Sequence, residues 1–310
     1  MSLYVAKETT SKADIQTWHR RLGHANVDTV ARLERKSMVT GMKIEGGHAS
    51  RSEACEPCLY GKQSRRPIPS KSSVESPRVN YRVYSDVCGP MQTRSRLGHF
   101  YFVTHIDGRA HHLKVALLKT KGEAATISMR YIERVEVETG NRLVYFRSDG
   151  GGEYESSKFA DFLESKGIHH ETTNAYTPQE NGITERMNRT LVEMARSMLS
   201  DAGLPNTYWG DAILHAAWIV NRIPTRALEG DITPYESFYG VKPSLTNFRI
   251  FGCKAYVHIP DEKRRKLDAK SLECVFIGFT PNKSGYCLLH RNTGRVLDSR
   301  DVFFDEGQGI

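Results

Sequence analysis

Between residues 82 and 201 the chain alternates short apolar runs with longer amphipathic ones, and this order restricts the fold more than any other feature of the sequence. RVYSDVC, HFYFVTHID and HLKVALLK read as strands, and the turn GRAH makes the last two antiparallel neighbours. GEAATISMRYIERVEVE reads as a helix, RLVYFRSD as a strand, SSKFADFLESKG as a helix stopped by glycine, and IHHETT as a short strand. GITERMNRTLVEMARSMLSDAG then repeats Ile183, Met187, Leu191, Met194 and Met198 at helical spacing, which gives one apolar face. The order β-β-β-α-β-α-β-α predicts a layered α/β domain with a mixed sheet, spanning residues 80–204.

The flanks have a different texture. With 310 residues the chain is long enough for two or three domains. Residues 13–61 are polar and helical in character, and residues 62–79 form a basic linker with three prolines. Residues 205–248 continue as a helical extension, with NTYWGDAILHAAWIVNRIP as its main helix. Residues 249–306 carry closely spaced strand patterns and an RNTG hairpin turn, the signature of a small β-barrel. No apolar run approaches the length of a membrane span, and SLYVAKETTSKADIQ after Met1 lacks the features of a secretory signal. The expectation is therefore a protein that stays inside the cell and has no membrane partner. Its formal charge of +8 favours a polyanionic partner, nucleic acid above all. Six cysteines over this length do not make a disulfide scaffold.

Only two of those cysteines are close together. His19 and His24 in WHRRLGH, followed by Cys55 and Cys58 in CEPC, supply two nitrogen and two thiolate ligands, a tetrahedral set for Zn²⁺. On one continuous helix the two histidines would lie about 140° apart at roughly 100° per residue, too far to share an ion. Gly23 can resolve this by taking the left-handed conformation that ends a helix and turns the next residue back. A segment so polar would draw much of its stability from the metal.

Three acids stand out. Asp86 interrupts a strand that should be central, where charge is rare unless it is paired or coordinates a metal. Asp149 ends the fourth strand, and Glu185 begins the helix after PQENG, opposite its apolar face, with Arg189 and Arg196 within about 40° of it. Each has an ordinary explanation as a surface strand residue, a turn cap or a first-turn acid. If they converge, carboxylates about 4 Å apart repel by about 4 kcal/mol per pair at an effective dielectric near 20, so a cation must sit among them. Hard oxygen ligands with few protein contributors suit Mg²⁺, and a pair of such ions about 3.5 to 4 Å apart clamps the entering and leaving oxygens of a phosphoryl transfer. The glycines of RSDGGGEY do not open a phosphate-binding loop, which needs a lysine and a hydroxyl residue next; they keep Asp149 accessible to a nucleic-acid backbone.

Other polar residues carry less. His111, His112, His169 and His170 lack cysteine or carboxylate partners at metal spacing and read as structural. Cys88, Cys253, Cys274 and Cys287 read as small buried residues, and DEKRRK at 261–266 as a solvated loop. Arg65 and Arg66 in the linker, with Arg189 and Arg196, are the candidate DNA contacts.

Taken together, these residues resemble the integrase of copia-type long-terminal-repeat retrotransposons. The likeness runs from WHRRLGH to DVFFDE and includes the His-His-Cys-Cys pre-integrase module, SDVCGP around Asp86, SDGGGEY around Asp149 and TPQENGITER around Glu185. The thirty-five residues between Asp149 and Glu185 are the spacing of that class, and YWGDAI, NRIPTRAL, TPYESFYG and FRIFGCKAYVHIP are further shared phrases. The resemblance implies an RNase H-like catalytic core between an N-terminal zinc-binding domain and a C-terminal small β-barrel. It implies Mg²⁺- or Mn²⁺-dependent insertion of element DNA into a chromosome, with Asp86, Asp149 and Glu185 as metal ligands and His19, His24, Cys55 and Cys58 as zinc ligands. Double-stranded DNA and further copies of the chain would be partners, with assembly in the cytoplasm and action in the nucleus. The alternative is a catalytically inactive DNA-binding relic or domesticated fragment. Gly150 stands where relatives commonly have asparagine and Glu180 where many have glutamine, and members of that family are normally released from a polyprotein that also carries protease and reverse transcriptase.

Overall fold

The computed structural model describes residues 10–46, 55–62, 76–173, 182–280 and 285–307. Its N-terminal segment opens with strand β1 (Ser11–Ala13). Asp14 then caps helix α1 (Ile15–Arg21), accepting from the Thr17 amide and hydroxyl at 2.8 Å each. Asn26 does the same for α2 (Val27–Arg35) through the Asp28 amide. Strand β2 (Met42–Ile44) pairs in parallel with β1, and α3 (Glu56–Lys62) follows. Trp18, Leu22, Val30 and Leu33 are fully buried, and the Trp18 indole donates to the Lys43 carbonyl at 3.0 Å. The two short strands add to the helical segment expected from its composition.

The expected α/β order is present. Strands β3 (Arg82–Cys88), β4 (Tyr101–Asp107) and β5 (Leu113–Leu118) are followed by α4 (Glu123–Thr139), β6 (Tyr145–Asp149), α5 (Ser157–Lys166), β7 (His169–Thr173) and α6 (Gly182–Asp201). Helices α7 (Trp209–Val220) and α8 (Pro234–Tyr239) extend it. The sheet order is β5-β4-β3-β6-β7, antiparallel across β3, β4 and β5 and parallel across β3, β6 and β7. This is the RNase H-like mixed sheet, with β3 at its centre. Alternation decides the two faces. Val83 and Phe146 turn toward α4 and α5, where Ala124, Ile132, Phe159 and Leu163 complete the core. Arg82, Tyr84 and Asp86 on β3, with Tyr145, Arg147 and Asp149 on β6, turn the other way.

Strands β8 (Lys254–His258), β9 (Ser271–Phe279), β10 (Tyr286–His290), β11 (Arg295–Ser299) and β12 (Val302–Asp305) form an antiparallel sheet of order β11-β10-β9-β8-β12. β10 and β12 are not neighbours in that order, yet the Tyr286 and Phe304 rings lie 4.7 Å apart and both pack on Phe276. The sheet therefore curls around one core, as in a small barrel.

The chain divides into two compact units. One holds the described residues up to Lys62, together with Met194–Pro205 and those from Lys242 onward; the other holds the described residues from there to Glu193 and Asn206–Val241. In the first unit Arg21 pairs with Glu306, its Nε at 3.0 and 2.9 Å from the two carboxylate oxygens, and Glu306 also accepts from the Ile250 amide at 2.7 Å. Thr40 bridges to Ser244 nearby. Helix α6 starts in the second unit and ends in the first.

Candidate metal centre and carboxylate site

Helix α1 ends at the Leu22 cap, and the next two residues both take left-handed backbone, Gly23 at φ 59° and His24 at φ 61°. The His24 amide then donates to the His19 carbonyl at 2.8 Å, which returns its side chain to the face of His19. The glycine was expected to make this turn; the left-handed histidine, uncommon for a side-chain-bearing residue, was not. On α3 and just before it, Cys58 and Cys55 complete the group. Among the described residues, His19, His24, Cys55 and Cys58 are the only group of three or more such side chains that could hold an ion, with ligand atoms all within 4.8 Å of one another.

The individual distances are sharper. His24 Nδ1 lies 3.3 Å from His19 Nε2 and 3.3 Å from Cys55 Sγ, and His19 Nε2 lies 3.4 Å from Cys58 Sγ. Tetrahedral Zn²⁺ with bonds of about 2.0 to 2.3 Å has ligand-to-ligand edges of about 3.3 to 3.8 Å, so these three edges fit that ion, and the two-nitrogen, two-sulfur donor set is of the kind it takes. His19 donates its Nδ1 proton to the Ala25 carbonyl at 2.6 Å, leaving the Nε2 lone pair for a ligand bond. Burial, partly offset by the bond to Ala25, pushes the His19 pKa down to about 4 and keeps the ring neutral. Burial pushes the Cys58 thiol up to about 12, so its thiolate needs a cation beside it.

The carboxylate site rests on strand register. Pairing of β3 with β6 runs to Ser85 opposite Ser148, so Asp86 and Asp149 come next on their strands and share the face away from α4 and α5. Adjacent strands are about 4.8 Å apart, which sets the scale of their approach. Burial first, then the charge of Asp149, raises the Asp86 pKa to about 6, and the charge of Glu185 adds to the effect. Burial and then the charge of Glu153 raise Asp149, while Lys121 opposes them. Asp149 Oδ1 is buried without a hydrogen-bond donor, the condition of an oxygen suited to a cation. Glu185 is exposed at the start of α6. Among the described residues the three acids do not form a second cluster as tight as the His-His-Cys-Cys group.

Local pattern did not reveal two partners of this site. Asn188, one turn after Glu185, donates from Nδ2 to Asp86 Oδ2 at 2.8 Å, and its i+3 spacing was the available signal. Tyr154, at the end of the glycine turn, is buried with its hydroxyl 2.7 Å from Ser85 Oγ, which ties that turn to the residue before Asp86.

Of the candidate DNA contacts, Arg189 is exposed on α6 and Arg196 donates to the Gly61 carbonyl at 3.1 Å. Arg65, Arg66 and Glu180 lie outside the described residues, as does most of the 62–79 linker. His112 stacks on Phe238, His169 on Tyr145, and His170 reaches Ser148 at 2.9 Å. Cys253 and Cys274 are buried, but Cys88 and Cys287 are only partly so, each lying at or next to the end of its strand. The 261–266 stretch begins with a single helical turn whose Asp261 pairs with Arg264.

Comparison with known proteins covers both ends and the whole length. The GAG-pre-integrase domain family matches residues 2–63, and the retroviral polymerase SH3-like domain family matches residues 253–309. The chain is 41% identical over 294 residues to the retrovirus-related Pol polyprotein from transposon TNT 1-94 of Nicotiana tabacum, covering 95% of this chain and 22% of that protein. It is 32% identical over 299 residues to the corresponding polyprotein from transposon RE1 of Arabidopsis thaliana, covering 96% of this chain and 20% of the other. The chain thus spans about a fifth of the length of these relatives. Among solved structures, a chain of the simian T-cell lymphotropic virus intasome in complex with PP2A regulatory subunit B56 gamma matches with a TM-score of 0.45 and 17% identity, over 76% of this chain and 81% of that one. The HTLV-2 integrase catalytic core domain in complex with magnesium matches with a TM-score of 0.41 and 18% identity, over 53% of this chain and 99% of that one.

Proposed function

Because this chain belongs to the retrovirus-related Pol polyproteins of copia-type transposons, as their pre-integrase and integrase segment, we propose that it joins element DNA to a chromosome by metal-dependent strand transfer. The element's 3′-hydroxyl attacks a target phosphodiester, and the bond to the target's own 3′-oxygen breaks. The observation that carries this reading is the register that brings Asp86 and Asp149 to neighbouring positions on one face of the sheet.

Asp86, Asp149 and Glu185 are the residues that would hold Mg²⁺ or Mn²⁺, and the ions supply charge for the entering and leaving oxygens. Asn188 fixes one oxygen of Asp86, so the carboxylate keeps its orientation without a second acid touching it. Tyr154, bonded to Ser85, anchors the turn after Asp149, and the small residues there leave room for a phosphodiester. Lys121 near Asp149 and Arg189 one turn beyond Glu185 offer positive charge to the DNA backbone. The His-His-Cys-Cys group would hold Zn²⁺ as a structural ion, since all four positions are protein ligands. Double-stranded DNA and further copies of the chain are the proposed partners, acting on chromosomal DNA in the nucleus after assembly in the cytoplasm.

The test is an assay with labelled element ends, unlabelled target duplex and Mg²⁺, comparing wild type with Asp149→Asn. Strand-transfer product from wild type, reduced at least about a hundredfold in the variant, is expected for loss of a metal ligand. Shortened fragments in place of joined ones would make the chain a nuclease of this fold. DNA binding with no product from either protein would make it a binding relic.

A further inference from the structure

The two histidines of the metal group use opposite ring nitrogens. His19 offers Nε2 because a backbone carbonyl takes its Nδ1 proton. His24 offers Nδ1, which lies 3.3 Å from both His19 Nε2 and Cys55 Sγ, so its proton must sit on Nε2. That nitrogen is buried and makes no hydrogen bond of ordinary length. Facing it at 3.7 Å is Asp201 Oδ2, on the last residue of α6, and the same oxygen is held by Arg20 Nε at 3.0 Å.

We propose that Asp201 is a positioning residue for His24: its carboxylate accepts from Nε2–H, fixes the tautomer and ring plane that present Nδ1, and so makes the last turn of α6 part of the metal site. The inference rests on the His-His-Cys-Cys group being a zinc site. A carboxylate behind a ligating imidazole makes the ring a stronger base and holds its direction, and loss of such a partner typically weakens metal affinity about 10- to 100-fold. The gap at 3.7 Å is about half an ångström beyond a normal hydrogen bond, within reach of a small side-chain rotation. Arg20 keeps the carboxylate from turning away, and its own neighbour in the chain is the ligand His19.

The experiment measures Zn²⁺ affinity of the full chain by competition with a chelator, and the visible spectrum of the Co²⁺-substituted protein, for wild type, Asp201→Asn, Asp201→Glu, Arg20→Gln and Cys58→Ser. Expected are a four-coordinate Co²⁺ spectrum in wild type and in Asp201→Asn, with Zn²⁺ affinity about 10- to 100-fold lower in the latter. Asp201→Glu should recover affinity to within about tenfold of wild type, and Arg20→Gln should cost no more than about threefold, as for a partly exposed ion pair. Affinity in Asp201→Asn equal to wild type overturns the proposal while leaving the zinc site intact. So does a loss in Arg20→Gln as large as that in Asp201→Asn, which would make Asp201 merely a salt-bridge partner. Should Asp201→Asn fail to fold, the glutamate variant decides, and no recovery there overturns the proposal. A wild type whose Co²⁺ spectrum is not four-coordinate, or is unchanged by Cys58→Ser, instead refutes the zinc site on which the proposal stands.

Discussion

His105 illustrates how a single side chain can set a pH dependence without touching the chemistry. It is fully buried on β4, stacked on Tyr131 at 4.3 Å, with Nε2 2.8 Å from Ser128 Oγ. Burial pushes its pKa down to about 3. Between that value and the unfolded value of 6.5 the unfolded chain takes up a proton that the folded one refuses, so stability rises with pH across this window and falls on acidification through it. From pH 6.5 down to 5 this one group removes about 2 kcal/mol. Urea unfolding of wild type and His105→Phe at pH 5 and pH 7 checks it: the difference between the two pH values should shrink by about that amount in the variant, and an unchanged difference would refute the assignment. At the same scale, Asp86 could be picked out because charge is unusual on a central strand, whereas Asp149 and Glu185, each ordinary alone, stood out only when taken together with it. Asn188 and Asp201 could not, since polar residues on a helix are ordinary until one knows what they face.

At the scale of the element, α6 carries the most. Its first turns hold Glu185 and Asn188, and its last residue is Asp201 behind His24. The apolar stripe read from Ile183 to Met198 explains why the helix forms, yet a stripe says nothing about which charged residues on the other faces meet a ligand. The end of this helix also limits the chain that passes it. Gly252, with φ 87°, lies so close to Ala202 that a Cβ there would be 2.1 Å from the alanine methyl. Gly252→Ala is expected to cost about 2 to 4 kcal/mol from backbone strain and overlap together, measured as a lower urea midpoint with unchanged slope. A midpoint within error of wild type would mean the approach is not as tight as described. The sheets were more legible than this contact, because period-two alternation and turn residues specify strands locally, whereas a close backbone approach is a fact about two distant segments.

At the scale of the whole chain, the His-His-Cys-Cys group belongs to a unit that also includes the C-terminal sheet, through Arg21 and Glu306 and through Thr40 and Ser244. Metal bound by the folded group alone stabilises all that folds with it. A strong Zn²⁺ chelator should therefore lower the melting temperature of wild type by at least about 4 °C, the shift that about 1 to 2 kcal/mol produces in a domain of this size. Cys58→Ser should already melt lower and respond to the chelator little or not at all. An equal chelator effect on both proteins would place the responsible metal elsewhere.

Local interactions were enough to write the strand and helix order, the layered α/β class with its mixed sheet, and the histidine and cysteine spacing, because propensity, periodicity and ligand spacing act over a few residues; the RNase H-like form came with the family resemblance. Tertiary structure alone decided that β3 and β6 align Asp86 with Asp149, that Asn188 and Asp201 face Asp86 and His24, and that described segments from the N-terminal and C-terminal parts of the chain share a unit. Those outcomes depend on burial and register between segments far apart in sequence, and such free energies exist only once the segments meet.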